Sequence, residues 1–244
     1  DPEKVVFFRQ SSVPEHTELT WIFNGLVTVP YLQRAHAYKD AVAKGKEPIM
    51  TLFDYPILMA TDILMYDADI VPVGKDQKQH VEITRDIAQK FNNAYGDTFV
   101  LPQELILDEV AVIPGIDGQK MSKSYGNTIP LFGSKEEISK AVMGIVTDSS
   151  GERPENVYAI HKLFKSESEL TKLYEENKGS YKTLKEALAE DIEAFVAPMR
   201  ERRKKYENDI SKVRSILKDG KRKAHKVASD KMEVVKRSIG LKHI

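Results

Sequence analysis

Over the first half of the chain, short apolar runs alternate with amphipathic stretches; over the second half, apolar residues recur only at helical intervals. Val5-Val6-Phe7-Phe8-Arg9 is a short apolar run, which predicts a buried strand. Ser12 and Pro14 follow as a helix start, and the helix is expected to run toward Val27. Residues 39–48 are polar and partly basic, with one Gly and one Pro, and predict a mobile connector. Tyr55 to Tyr66 is apolar on nearly every face, hence a buried helix. Asp69 to Gly74 predicts a short strand ending in glycine, and Lys75 to about Asn92 a helix. Thr98 to Leu101 and Leu105 to Val112 supply further extended pieces. Strands joined through helices belong to a parallel sheet, so this half reads as α/β.

After Thr128 the pattern is all-helical. Ser134 with Glu137 and Ser166 with Glu169 have capping-box spacing. Leu184, Leu188, Ile192, Phe195 and Met199 mark one face of a long helix. Pro198 is expected to kink or break it, and Asp219-Gly220 to separate it from a last basic helix. The expected division is therefore 1–130, α/β, and 131–244, helical.

At 244 residues with 41% hydrophobic and 30% charged residues, the chain can bury a substantial core. It has no cysteine, which excludes disulfides and thiolate metal sites and fits a reducing, cytoplasmic setting. No apolar run reaches membrane-spanning length, so no membrane partner is expected. The zero net charge conceals an asymmetry: residues 198–244 hold 16 Lys and Arg against 6 Asp and Glu. A basic segment on an acidic body predicts a polyanion partner there.

Three features could carry chemistry. The strand-Gly74-helix corner would expose unpaired N–H groups to an anion, although ordinary βα turns share this form. Asp62 lies among Leu58, Met59, Ile63, Leu64 and Met65, where a carboxylate needs a donor: either an internal hydrogen bond or a ligand ring bearing N–H or O–H. Lys120-Met121-Ser122-Lys123-Ser124, between Gly118 and Gly126, sets two cations among hydroxyl and backbone donors in a loop able to move, suited to a polyphosphate. The six histidines are scattered without metal-ligand spacing, and no protein-held metal is expected.

Lys120 to Ser124 is also the KMSKS signature of class I aminoacyl-tRNA synthetases. With Tyr55 to Tyr66, Asp69 to His80 and Val146-Thr147-Asp148-Ser149, the chain resembles tryptophanyl-tRNA synthetases of bacterial type along nearly its whole length. The resemblance implies the C-terminal half of a Rossmann-like catalytic domain followed by a helical tRNA anticodon-binding domain. It implies that Asp62 accepts the indole N–H, that Met59, Ile63, Val71 and Val73 line the ring pocket, and that Tyr55 and Gln77 hold the polar end of L-tryptophan. Gly74, Lys75, Asp76 and Val112 would contact ATP together with Lys120, Met121, Ser122, Lys123 and Ser124, and Lys120 and Lys123 would be catalytic. Mg²⁺ would accompany ATP. A connector lysine that aids catalysis is implied, with Lys39, Lys44 and Lys46 nearby. The basic helices would meet tRNA(Trp), and a homodimer would form near residues 12–35 and 55–66.

The HIGH-type signature of class I enzymes has no counterpart here. The expectation is a chain beginning about halfway through the nucleotide-binding fold, with little or no activity alone. Two other readings stay open at this level: a tyrosyl-tRNA synthetase, since a phenol O–H also suits Asp62, and a non-catalytic RNA-binding fragment.

Overall fold

The computed structural model describes residues 3–106, 113–147 and 153–241. The chain forms two compact units, Asp1–Glu109 with Ser211–Ile244, and Val110–Ile210. The units do not follow a single cut at residue 130: the chain leaves the first unit before the lysine loop and returns to it for the C-terminal helix.

In the first unit, helices α1 (Glu15–Asn24), α2 (Val29–Leu32), α3 (His36–Ala43) and α4 (Met50–Leu64) precede strand β1 (Ile70–Pro72). A 3₁₀ turn, Lys75–Gln77, leads into α5 (Lys78–Tyr95), and β2 (Gln103–Leu105) follows. β1 and β2 pair in parallel, with Val71 opposite Glu104, as expected for strands joined by a helix. α4 packs against both α1 and α5. Its Ile57, Ala60 and Leu64 are fully buried beside Phe23, Ile87 and Phe91. Phe23, Phe91 and Phe99 meet edge to face, with ring centroids 4.9–6.3 Å apart.

Several local expectations are corrected. Val5 to Phe7 form no strand; these residues are exposed and lie across the C-terminal helix. Backbone without a neighbouring strand has no ladder to join. The first helix is shorter than expected, Pro14 standing at its N-cap and Gly25 at its end. Much of the connector is helical, as α3. Thr98 to Leu101 is held as a loop by Asn92, which accepts from the Thr98 and Phe99 amides and donates to the Phe99 carbonyl.

The C-terminal helix of the first unit (Ile210–Ser238) passes through Gly220 without a break. It places Ala224, Ala228, Met232 and Val235 in the same core as α1, α4 and α5. Gly220 is there for space: a Cβ on it would sit 1.9 Å from the Phe7 carbonyl oxygen. The actual separator is Asn208-Asp209, where the preceding helix ends.

The second unit holds the lysine loop and helices α6 (Lys135–Met143), α7 (Glu155–His161), α8 (Glu167–Glu176) and α9 (Tyr181–Glu207), so the C-terminal helix is α10. Both capping boxes form, at Ser134–Glu137 and Ser166–Glu169. Ile138, Val142, Leu188, Ile192 and Val196 make the core. Phe195, assigned to that face, is exposed, and Val196 is buried in its place. α9 continues through Pro198. Pro198 and Ala194, one turn earlier, both lie on the solvent side, where a carbonyl deprived of its helical partner can bond to water.

Candidate active site

The first unit gathers most of the pocket residues on two elements. Tyr55, Met59, Asp62 and Ile63 lie on α4, whereas Val71, Val73, Gly74, Lys75, Asp76 and Gln77 form the β1–α5 corner. The Val73 amide donates to the Leu105 carbonyl at 3.1 Å, which extends the sheet contact past the strand end. The Gln77 amide donates to the Gly74 carbonyl at 2.9 Å and closes the 3₁₀ turn. The Gln77 side-chain amide donates to Asp76 at 2.9 Å. Tyr55 and His80 bridge the two elements, Tyr Oη to His Nε2 at 2.8 Å. Burial raises the Tyr55 pKa and lowers that of His80. His80 Nδ1 is buried without a hydrogen-bond partner, a polar atom left available at this corner.

Asp62 has the donors its surroundings call for. Gln10 Nε2 donates to both carboxylate oxygens, at 2.7 and 2.8 Å. His16 Nδ1 lies 2.6 Å from Oδ1, and His16 Nε2 lies 2.8 Å from Tyr66 Oη. His16 is buried, while the Asp62 side chain is 40% exposed, so the carboxylate is anchored from behind and open in front. Met59 is half-buried and Ile63 is buried beside it on α4.

The second unit builds the lysine loop on a hairpin base. Pro114 and Lys120 form an antiparallel bridge, and the Met121 amide donates to the Ile113 carbonyl at 2.8 Å. Asn127 is buried and organises the loop from inside. Its Oδ1 accepts from the Ser122 amide at 2.8 Å. Its Nδ2 donates to Asp117 at 2.8 Å and to the Lys120 carbonyl at 3.1 Å. Gly115 makes room for that amide, since a Cβ there would lie 2.4 Å from Asn127 Nδ2. The Asn127 hydrogen bond, followed by the Gln119 amide, lowers the Asp117 pKa. Ser122 caps the turn Lys123–Tyr125 by accepting from the Ser124 amide. Lys120 and Lys123 are both exposed on this frame. Two exposed cations beside hydroxyl and amide donors fit a polyphosphate.

Val112, expected at the nucleotide site, lies outside the described residues, as do Asp148 and Ser149. The pocket residues and the loop residues are thus held by two separate cores. Local reading missed Gln10, His16 and Tyr66 around Asp62, which no spacing rule connects to it. It also assigned no role to Asn127, where an Asn just past the glycine that follows the motif was the available signal.

Residues 1–213 match the family model of class I tRNA synthetases (W and Y). The tryptophan–tRNA ligase of Fusobacterium nucleatum is 46% identical over 250 residues, covering 99% of this chain and 77% of that protein. The chain belongs to the tryptophan–tRNA ligases. The enzyme of Campylobacter jejuni is also 46% identical, over 78% of its own length. Its crystal structure, complexed with ADP and tryptophan, superposes with a TM-score of 0.88 at 45% identity, covering 99% of this chain and 78% of that one. The Mycoplasma pneumoniae tryptophanyl-tRNA synthetase gives 0.82 at 29% identity. The tyrosyl-tRNA synthetase of Aeropyrum pernix, at 20% identity and a TM-score of 0.57, shares the fold alone. Among these relatives the family assignment separates tryptophan from tyrosine ligases where pocket chemistry did not. It also favours an enzyme over a non-catalytic RNA-binding protein.

Proposed function

We propose that this tryptophan–tRNA ligase activates L-tryptophan with ATP to tryptophanyl-adenylate and transfers the aminoacyl group to tRNA(Trp). Asp62 accepts the indole N–H, with Met59, Ile63, Val71 and Val73 against the ring. Tyr55 and Gln77 hold the ammonium and carboxylate end. The tryptophan carboxylate oxygen bonds to the α-phosphorus, and the bond from that phosphorus to the pyrophosphate oxygen breaks. Lys120 and Lys123 stabilise the negative charge gathering on the departing pyrophosphate. Gly74, Lys75 and Asp76 at the helix start, with Met121, Ser122 and Ser124 of the loop and Val112, serve the nucleotide. Among the described residues no cluster of three His, Asp or Glu side chains could hold a metal. Mg²⁺ arrives on the nucleotide phosphates, in keeping with its preference for them over all-protein cages.

The observation that carries this reading is the loop itself: two exposed lysines of the motif on a frame fixed by Asn127, in a chain of this family. Tryptophan-dependent exchange of pyrophosphate into ATP by the full-length protein tests it. Lys120→Ala and Lys123→Ala should each lower the exchange rate by about 10²–10³-fold, the usual loss for one transition-state charge donor, with tryptophan binding unchanged. Exchange at the unmodified protein's rate in both variants would refute the assignment.

The remaining partners follow in the same proposal. The basic C-terminal helices, within residues 198–244, meet tRNA phosphates, which fix position, while base contacts specify the anticodon. A homodimer forms near residues 12–35 and 55–66, through the face of α1 and α4 where Trp21 is 79% exposed beside Thr17, Thr20 and Leu58. Among the described residues no helix is long and apolar enough to cross a membrane, and a role in protein synthesis places the enzyme in the cytoplasm.

A further inference from the structure

We propose that His16, backed by Tyr66, is a positioning residue that reserves one oxygen of Asp62 for the ligand's ring N–H. The inference rests on the reading of Asp62 as that acceptor. Its basis is a count of hydrogen bonds. Oδ1 lies 2.6 Å from His16 Nδ1 and 2.7 Å from Gln10 Nε2. Among the described residues, Oδ2 receives Gln10 alone, at 2.8 Å. A carboxylate oxygen offers two lone-pair directions, so Oδ1 is filled and Oδ2 keeps one open. The proton between ring and carboxylate belongs to Nδ1, because a carboxylate accepts; Nε2 then accepts from the Tyr66 hydroxyl.

Packing fixes the direction of this chain. His16 is 3% exposed. Its ring centroid lies 5.5 Å from that of Tyr66 and 6.1 Å from that of Phe8, and Phe8 meets Tyr66 edge-on at 5.8 Å. The Tyr66 pKa is pushed up to about 12 by burial and by the neighbouring Asp62 and Glu15 carboxylates, so the hydroxyl stays a donor. A carboxylate held on a helix by its own side chain alone would rotate about two torsions. Here His16 and Gln10, reaching α4 from positions 46 and 52 residues away in sequence, stop that rotation. The arrangement presents a pure acceptor at a set angle. It should therefore act on ring N–H recognition and leave the rest of the ligand untouched.

The test compares binding of tryptophan with that of an analogue whose ring N–H is replaced by sulfur, by calorimetry on the full-length protein. Tyr66→Phe and His16→Ala should weaken tryptophan, His16→Ala by roughly tenfold, and leave the analogue unchanged, so the preference ratio falls. His16→Asn, which keeps a donor near the place of Nδ1, should recover part of the ratio. If both ligands weaken equally, or neither does, His16 merely ties α1 to α4 and the proposal fails. Should His16→Ala fail to fold, Tyr66→Phe decides alone. Asp62→Ala separates the two levels. If Asp62→Ala leaves the ratio intact, the acceptor assignment itself is wrong. If it collapses the ratio while His16→Ala and Tyr66→Phe do not, only the positioning role is wrong.

Discussion

Asn127 carries no charge, yet the lysine loop depends on it. Its amide satisfies the Ser122 N–H, the Lys120 carbonyl and Asp117 from a buried position. Asn127→Ala leaves the first two without their partner, a loss of about 1–3 kcal/mol. Chemical denaturation should register that loss, and the KM for ATP should rise because Lys120 and Lys123 lose their frame. Unchanged values would mean that the loop holds its shape without the amide. A second residue-scale effect concerns acid. His161 is buried against Asp191 at 2.8 Å, with Lys165 on the same carboxylate and Tyr174 Oη at 3.2 Å from the other ring nitrogen. Burial outweighs Asp191 and lowers the His161 pKa. The unfolded chain then binds the proton more readily. Stability of the second unit is full above pH ~6.5 and is lost as pH falls toward the lower folded value. Thermal unfolding between pH 7.5 and 5.5 should show this decline, and His161→Leu should flatten it. The lysines of the motif were legible because they are neighbours in sequence. The partners of Asp62 were not, because a hydrogen bond between positions 16 and 62 leaves no local pattern.

At the scale of elements, two helix-breaking residues have meanings opposite to their reputation. Gly220 in α10 reads as a terminator but is a notch that admits the Phe7 backbone. In a free helix, Gly→Ala would stabilise by about 1 kcal/mol. Here Gly220→Ala should destabilise, because its Cβ would overlap a carbonyl that cannot move like a side chain. Pro198 in α9 meets no such constraint, and Pro198→Ala should stabilise by about 1–3 kcal/mol. Urea denaturation of both variants checks the two signs. Helix existence and the capping boxes were readable because they rest on neighbours three or four residues apart. The fate of Val5 to Phe8 and of Gly220 was not, since it depends on a crossing between distant segments. Short strands suffered likewise: the parallel pair is three residues long, too brief for periodicity to mark its ends.

For the whole molecule, the division into units follows packing rather than the order of residues. The helical character of the second half was evident, but α10 returns to the first unit because Ala224, Ala228, Met232 and Val235 complete that core. Two measurements address the proposed assemblies. Binding of tRNA should weaken steeply with salt, as phosphate contacts release counterions; a flat response would remove the basic stretch from the interface. The chain has one tryptophan, Trp21, exposed on α1. Its fluorescence should shift to the blue as concentration rises and the dimer forms. Trp21→Glu should keep the protein monomeric by sedimentation, and a dimer that survives this change would place the interface elsewhere.

The seat of Phe7 on Gly220 bears on synthesis. Ser229 of α10 also bonds Glu15 across 214 positions, so the residues around Phe7 and Glu15 wait for α10 before their hydrophobic side is covered. Contacts between such remote positions close slowly. During translation the second unit, which is continuous in sequence, can finish folding while the first still lacks its closing helix. A nascent chain stalled before residue 224 would therefore emerge half-assembled, with its aromatic cluster open to chaperones.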